Sequence, residues 1–285
     1  MSDLSDLEIP GHLCWVEGEM PKVRVQTRWS SAEIYLQGAQ VTHFQKNAEP
    51  PLLFMSRASQ FTPGTPIRGG IPIIFPWFGA REGFPAHGFA RSARWSLEET
   101  TLLASGAVHL RFRLPPCESW VVELVVTVAA SLTLELRVSS TAEQELTFAT
   151  CLHTYFQISA IDAIEVCGLS GVSYFDQLSH TTLTESADTL KIAAEIDRIY
   201  SDSPAALEIV DPGYGRKLRL ETQGSNSTVV WNPWLEKSKQ LKDFGDDEYL
   251  QMVCVESGNL ATQQIILPPG GCAVLRLELS SVALN

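Results

Sequence analysis

The sequence predicts an all-β protein built from two large, mostly antiparallel sheets packed face to face. Three observations carry this. Apolar residues alternate with polar ones at a period of two in segment after segment. Turn-forming Gly, Pro, Asn and Asp divide those segments. No stretch sustains helical spacing long enough for a substantial helix. A chain of 285 residues fits one large β domain, and no composition break, fixed-period repeat or low-complexity tract divides it. The expected organisation is a flexible segment over residues 1–12 and a single β-sandwich domain over residues 13–285.

Val23, Val25 and Thr27 alternate with Arg24 and Gln26, and Ala32 to Leu36 leads through Gly38 to Val41 and Phe44. These read as strands joined by short turns. Val108, Leu110, Phe112 and Leu114 alternate with His109, Arg111 and Arg113, and Leu132 to Val138 alternate with Thr133, Glu135 and Arg137. Each is a half-buried strand, with His109 on its polar face. Leu218 and Leu220 follow the turn Asp211-Pro-Gly-Tyr-Gly215, Thr228 to Trp231 is a short β-branched run, and Leu275, Leu277 and Leu279 close the chain. Lys191 to Tyr200 is ambiguous, because Ile192, Ile196 and Ile199 have helical spacing.

Composition excludes several classes of partner. Hydrophobic content of 45% with 19% charged residues describes a soluble globular chain. A formal charge of -12 and a pI near 5.0 disfavour nucleic acid and anionic lipid, which need concentrated positive charge. The apolar stretch Trp120 to Leu136 is interrupted by Glu123 and Glu135 and alternates, so it does not read as a membrane span. The N-terminus shows no basic region followed by an apolar run. A cytoplasmic monomer acting on a small molecule is expected. The six cysteines form no C-x-x-C pair, which points away from zinc and redox motifs. Asn226-Ser-Thr228 reads as a chance match to a glycosylation acceptor.

One stretch departs from the acidic background. Between Thr62 and Trp95 stand Arg68, Arg81, Arg91 and Arg94 against one acid, Glu82. Arg68-Gly-Gly70 and Gly88-Phe-Ala-Arg91 set guanidinium groups beside glycines, which would let backbone amides approach a small anion. The same composition also describes an ordinary connection between strands, and both readings stand at this point.

Two strand-like segments carry an ionisable residue where an apolar one is expected. In Phe148 to Phe156, His153 shares a face with Cys151 and Tyr155; in Gln251 to Gly258, Glu256 shares one with Met252 and Cys254. Burial would raise the carboxyl's pKa toward that of a useful base, and the histidine is a matching acid. Each alone also reads as a structural residue, His153 satisfied in the core and Glu256 paired with an arginine. There is no G-x-S-x-G elbow, phosphate-binding P-loop or complete dinucleotide fingerprint. His12, His43, His87 and His180 are scattered, and the charged run Glu236 to Glu248 reads as a solvated loop.

Arg68-Gly-Gly-Ile-Pro, Phe75-Pro-Trp-Phe-Gly79, His87-Gly-Phe-Ala-Arg91, Leu152-His-Thr-Tyr-Phe156, Asp197-Arg-Ile-Tyr200, Val230-Trp-Asn-Pro-Trp234 and Val253-Cys-Val-Glu256 together resemble the hexose-6-phosphate mutarotases of the aldose 1-epimerase superfamily. The motifs follow family order from about Gly38 to the end. The resemblance implies a galactose-mutarotase-like β supersandwich and interconversion of the α and β anomers of a hexose 6-phosphate, without a cofactor or metal. It implies that His153 protonates the ring oxygen and that Glu256 takes the anomeric hydroxyl proton. Arg68 and Arg91 would recognise the phosphate and Asp197 the sugar hydroxyls. Ala86 stands where some relatives have Gln, and Glu256-Ser-Gly-Asn259 where relatives often have Glu-Pro-Gly-His. The alternatives are a mutarotase of unphosphorylated aldoses and a non-catalytic sugar-binding sandwich.

Overall fold

In a computed structural model, which describes residues 7–117 and 119–284, the alternating segments are strands. Nine form one sheet in the order Thr189–Leu190, Glu165–Cys167, Ala206–Asp211, Arg216–Gln223, Cys272–Ala283, Leu132–Ser140, Trp120–Val128, Val108–Arg113 and Ser96–Leu102. A second, eight-stranded sheet runs Thr181–Thr184, Ser173–Asp176, Ile196–Ser201, Ser227–Asn232, Met252–Asn259, Thr150–Leu152 and Ile73–Ile74, with Tyr155–Gln157 also paired to Met252–Asn259. Leu13–Val16, Lys22–Gln26, Ser30–Tyr35 and Gln40–Lys46 make a four-stranded meander. Among the described residues the one α-helix is Trp234–Ser238.

The alternation read from the sequence decides which face of each strand is buried. Leu132, Leu134, Leu136 and Val138 are buried while Thr133, Glu135 and Arg137 are not. They pair with Trp120–Val128, whose Val122, Leu124, Val126 and Val128 fill the same side. The apolar stretch from Trp120 is therefore a hairpin, with Glu123 opposite Arg137 on its polar face. These residues share one core with Leu152, Phe156, Val230, Val253 and Val255 of the eight-stranded sheet. At roughly 1.5–3 kcal/mol for each fully buried Leu or Val, this seam is the main source of stability.

The other face of the eight-stranded sheet is not part of that core. Cys151, Ile199 and Val229 belong to one smaller cluster there, and Tyr155, Met252 and Cys254 to another. By the same period of two, His153, Asp197, Trp231 and Glu256 stand on this outer face. The Lys191 to Tyr200 ambiguity resolves as the strand Ile196–Ser201. Ile196 and Tyr200 face the main core and Ile199 the smaller cluster, so burial on both sides produced the helix-like spacing.

Of the expected flexible segment, residues 1–6 lie outside the described residues. Residues 7–12 are tied to the fold: Thr100 Oγ1 donates to the Leu7 carbonyl at 2.7 Å, and Glu8 accepts from the Trp15 N–H at 2.8 Å.

Candidate active site

Strand Met252–Asn259 forms the wall of a cleft on the outer face. Thr150–Leu152 and Tyr155–Gln157 pair with it in one continuous register, Leu152 opposite Ser257 and Tyr155 opposite Cys254. His153 therefore falls opposite Glu256. Its own N–H turns away to the Pro72 carbonyl at 3.0 Å, and its Nε2 lies 3.1 Å from Glu256 Oε1. On the other side, Val229 stands opposite Glu256, and Asp197 opposite Trp231. Residues far apart in the chain meet because they occupy neighbouring rungs of one sheet.

The cleft encloses about 230 Å³. Arg68, His87, His153, Asp197 and Glu256 supply its polar lining, and Phe78, Tyr155 and Trp231 its aromatic walls. Glu256 is 1% exposed and His153 9%. Burial pushes the Glu256 carboxyl well above its usual range, with the Asp197 carboxylate adding to the rise. Burial pushes the His153 imidazole well down, helped by its coupling to the neighbouring His87 and by the guanidinium charges of Arg91 and Arg68. Both groups thus favour their neutral forms, so the pair holds one proton over a wide pH range. The Cys151 thiol donates to Glu256 Oε2 at 3.5 Å. The Tyr155 ring stacks on His153 with centroids 4.7 Å apart and planes inclined by 11°, which fixes the imidazole's orientation.

Four of the five residues singled out from the sequence line this cleft: His153, Glu256, Arg68 and Asp197. Asp197 is held by Gln177, whose Nε2 donates to Oδ1 at 2.6 Å, and burial raises its pKa. Arg68 is already engaged. Its Nε and Nη2 donate to the Asp243 carboxylate at 3.2 and 3.1 Å, and its Nη1 to Tyr155 Oη at 3.0 Å. The fifth, Arg91, is not among the residues lining the cleft and donates through Nη2 to the Ala86 carbonyl at 2.9 Å. Its buried Nε has no hydrogen-bond partner among the described residues.

Two charged or titratable residues at or next to the cleft, His87 and Asp243, carry no mark of it in the sequence. His87 lines the cleft, and its Nδ1 accepts the Gly79 N–H at 3.2 Å, which places the ring proton on Nε2. Burial, followed by the charges of Arg91 and Arg68, lowers its pKa to about 4, so it is a neutral donor. It opens the His-Gly-Phe-Ala-Arg motif, but in the sequence it reads only as one of several scattered histidines. Asp243 belongs to the run read as solvated, and no spacing ties it to Arg68. Glu248, in the same run, is buried and accepts from Ser56 Oγ at 2.6 Å and from the Arg57 N–H at 2.8 Å.

Of the two readings of the glycines beside the arginines, Gly70 and Gly88 fit the close-packed connection. A Cβ on Gly70 would lie 2.3 Å from the Val41 carbonyl oxygen, and one on Gly88 would lie 1.9 Å from that of Phe75. These glycines admit neighbouring backbone, and no ligand space opens there.

Residues 21–280 match the family model described as aldose 1-epimerase. A protein of Cenchrus ciliaris, provisionally named a glucose-6-phosphate 1-epimerase, is 35% identical over 268 residues, covering 88% of this chain and 81% of its own. One of Escherichia coli K12 with the same provisional name is 33% identical, covering 82% and 81%. A crystal structure from Salmonella typhimurium, provisionally a mutarotase, superposes with a TM-score of 0.89 at 25% identity over 96% of this chain and 95% of that one. A galactose mutarotase-like protein of Clostridium acetobutylicum shares the fold at a TM-score of 0.73 and 12% identity, over 95% and 98%.

Proposed function

Since the chain belongs to the aldose 1-epimerase family, we propose that it interconverts the α and β anomers of a hexose 6-phosphate, with glucose 6-phosphate as the substrate to test first. The observation that carries this reading is the 3.1 Å approach of His153 Nε2 to Glu256 Oε1 at the floor of a sugar-sized cleft. Ring opening requires one group to take the anomeric O–H proton and another to protonate the ring oxygen as the C1–O bond breaks.

The productive form for opening is Glu256 as carboxylate and His153 as imidazolium. Proton transfer from the anomeric hydroxyl to Glu256, and from His153 to the ring oxygen, leaves an aldehyde and a neutral pair. Burial favours that neutral pair. Rotation about C1–C2 turns the other aldehyde face. Closure then runs with roles reversed, Glu256 protonating the carbonyl oxygen and His153 accepting the ring hydroxyl proton. The protons balance within the pair, and each positioned group contributes about 10²- to 10⁴-fold. His87, held with Nε2–H outward from its Gly79 contact, is a further donor for a sugar oxygen. Asp197, braced by Gln177, is suited to accept from hydroxyls.

A phosphorylated substrate is supported by the relatives' names and by Arg68 and Arg91, two cations whose charge reaches His153. Arg68 meets a phosphate only in competition with Asp243 or beside it, so Arg91 is the less committed cation. Exchange NMR of α- and β-glucose 6-phosphate tests the reading: faster exchange with protein, abolished in His153→Ala, is expected. Unchanged exchange rates at saturating protein would refute it. Equal acceleration of glucose, unaffected by Arg68→Ala with Arg91→Ala, would instead identify an enzyme of unphosphorylated aldoses.

A further inference from the structure

Beside the His153–Glu256 pair stand sulfur donors for which the anomerisation chemistry has no use. Cys254 lies two residues before Glu256 on the same face of strand Met252–Asn259, with no exposed surface. Its Sγ, a ring nitrogen of His153 and a Glu256 carboxylate oxygen all lie within 4.8 Å of one another. Cys151 Sγ approaches the same carboxylate from the other side, 3.5 Å from Oε2.

Tetrahedral zinc binds nitrogen and oxygen at about 2.0–2.1 Å and thiolate at about 2.3 Å, so its ligand atoms stand roughly 3.3–3.6 Å apart. The His153–Glu256 contact of 3.1 Å is already near that spacing. The Cys254 sulfur has to close by at most about 1.2 Å to complete it, a shift that small side-chain torsions supply. One thiolate and one carboxylate neutralise a divalent cation, and Arg68, the cation lining the cleft, is ion-paired with Asp243. The mixed sulfur, nitrogen and oxygen set selects Zn²⁺ or Cd²⁺ over Mg²⁺ and Ca²⁺, which take oxygen ligands.

We propose that the cleft floor binds a single thiophilic divalent cation, Zn²⁺ or Cd²⁺, through Cys254, His153 and Glu256, and that the bound ion blocks the acid–base pair. Binding uses the Nε2 lone pair of His153 and releases to solvent the Cys254 thiol proton and any proton on Glu256, so it strengthens as pH rises. The inhibitory consequence rests on the anomerase reading; the binding site does not.

The test uses the full chain, freed of metal by a chelator and carrying Cys14→Ser and Cys272→Ser so that the two exposed thiols contribute nothing. Cd²⁺ titration is followed by thiolate-to-metal charge-transfer absorption, and Zn²⁺ affinity by competition with a chromogenic chelator. One ion per chain is expected, with Cys254→Ser abolishing the charge-transfer band and weakening Zn²⁺ by about 10- to 100-fold or more. Zinc-edge X-ray absorption of the Cys254-containing protein, which needs no folded variant, should show sulfur at about 2.3 Å among lighter ligands at about 2.0 Å. A band or affinity unchanged in Cys254→Ser, or a first shell without sulfur, overturns the site. In the exchange assay, one equivalent of Zn²⁺ should suppress turnover and EDTA restore it, while excess Mg²⁺ does neither. Full turnover with the ion bound overturns the block. Absent turnover in the metal-free protein counts against the anomerase reading, and the binding measurements still decide the site.

Discussion

Glu256 and His153 carry proton affinities displaced toward each other and past each other, and this dictates how activity should respond to pH. The carboxyl is pushed up and the imidazole down, chiefly by burial. Below the lower of the pair's two apparent pKa values both groups are protonated and the base is lost. Above the upper value both are deprotonated and the acid is lost. Between them a constant minority of the pair has its single proton on His153, so kcat/KM should be bell-shaped with a flat top, and the limbs belong to the pair. Asp197 is the charge that adds most to the rise of Glu256 after burial. Asp197→Asn should therefore move the alkaline limb to lower pH; a limb that stays put or moves up would contradict the assignment. Glu256→Gln and His153→Ala should each lower kcat by about 10²- to 10⁴-fold with much smaller changes in KM, as measured by saturation-transfer NMR.

Elements, rather than single residues, decide where Arg68 points. The loop after helix Trp234–Ser238 brings Asp243 to the guanidinium, whose remaining contact, Tyr155, stacks on the His153 imidazole. Asp243→Asn removes one charge from this brace without emptying the cleft. Losing the pre-set orientation of Arg68 should raise KM for the phosphosugar by roughly 3- to 10-fold with kcat nearly unchanged, whereas a drop in kcat alone would show that the brace serves His153 instead. The connection that carries His87 is pinned at its base by Gly88, at φ 73° with the Phe75 carbonyl in the place of a side chain. Gly88→Ala should cost at least about 3 kcal/mol, read from the denaturant midpoint at constant slope. The half-buried strands were legible because their burial alternates, and His153 and Glu256 because they put an ionisable side chain where an apolar one is expected. Asp243 was not legible: its partner lies 175 residues away and is reached through a loop with no period. The purpose of Gly70 and Gly88 stayed open in the sequence because a close approach of backbone to backbone leaves the same residue there as an approach to a ligand.

At the scale of the whole molecule, the cleft is only as rigid as the seam beneath it. One continuous core takes in Leu13 and Val25 of the four-stranded meander, Leu134 and Leu277 of the nine-stranded sheet, and Val230 and Val255 of the eight-stranded sheet. Strand Met252–Asn259 links the two functions of the fold, since Val253 and Val255 enter this core while Glu256, on the opposite face, lines the cleft. A strand so shared cannot lose its packing and keep its site. Unfolding should accordingly be a single cooperative transition in which the calorimetric and van 't Hoff enthalpies agree, with an enthalpy of about 0.7 kcal/mol per residue near 60 °C. Loss of the near-ultraviolet circular dichroism of Trp231 and Tyr155 at the cleft should coincide with loss of the far-ultraviolet strand signal. Two resolved heat-absorption peaks, or cleft aromatics that lose order well below the sheet transition, would mean that the smaller clusters on the outer face form a separate unit. In that case the 3.1 Å contact between His153 and Glu256 would no longer inherit its precision from the sandwich.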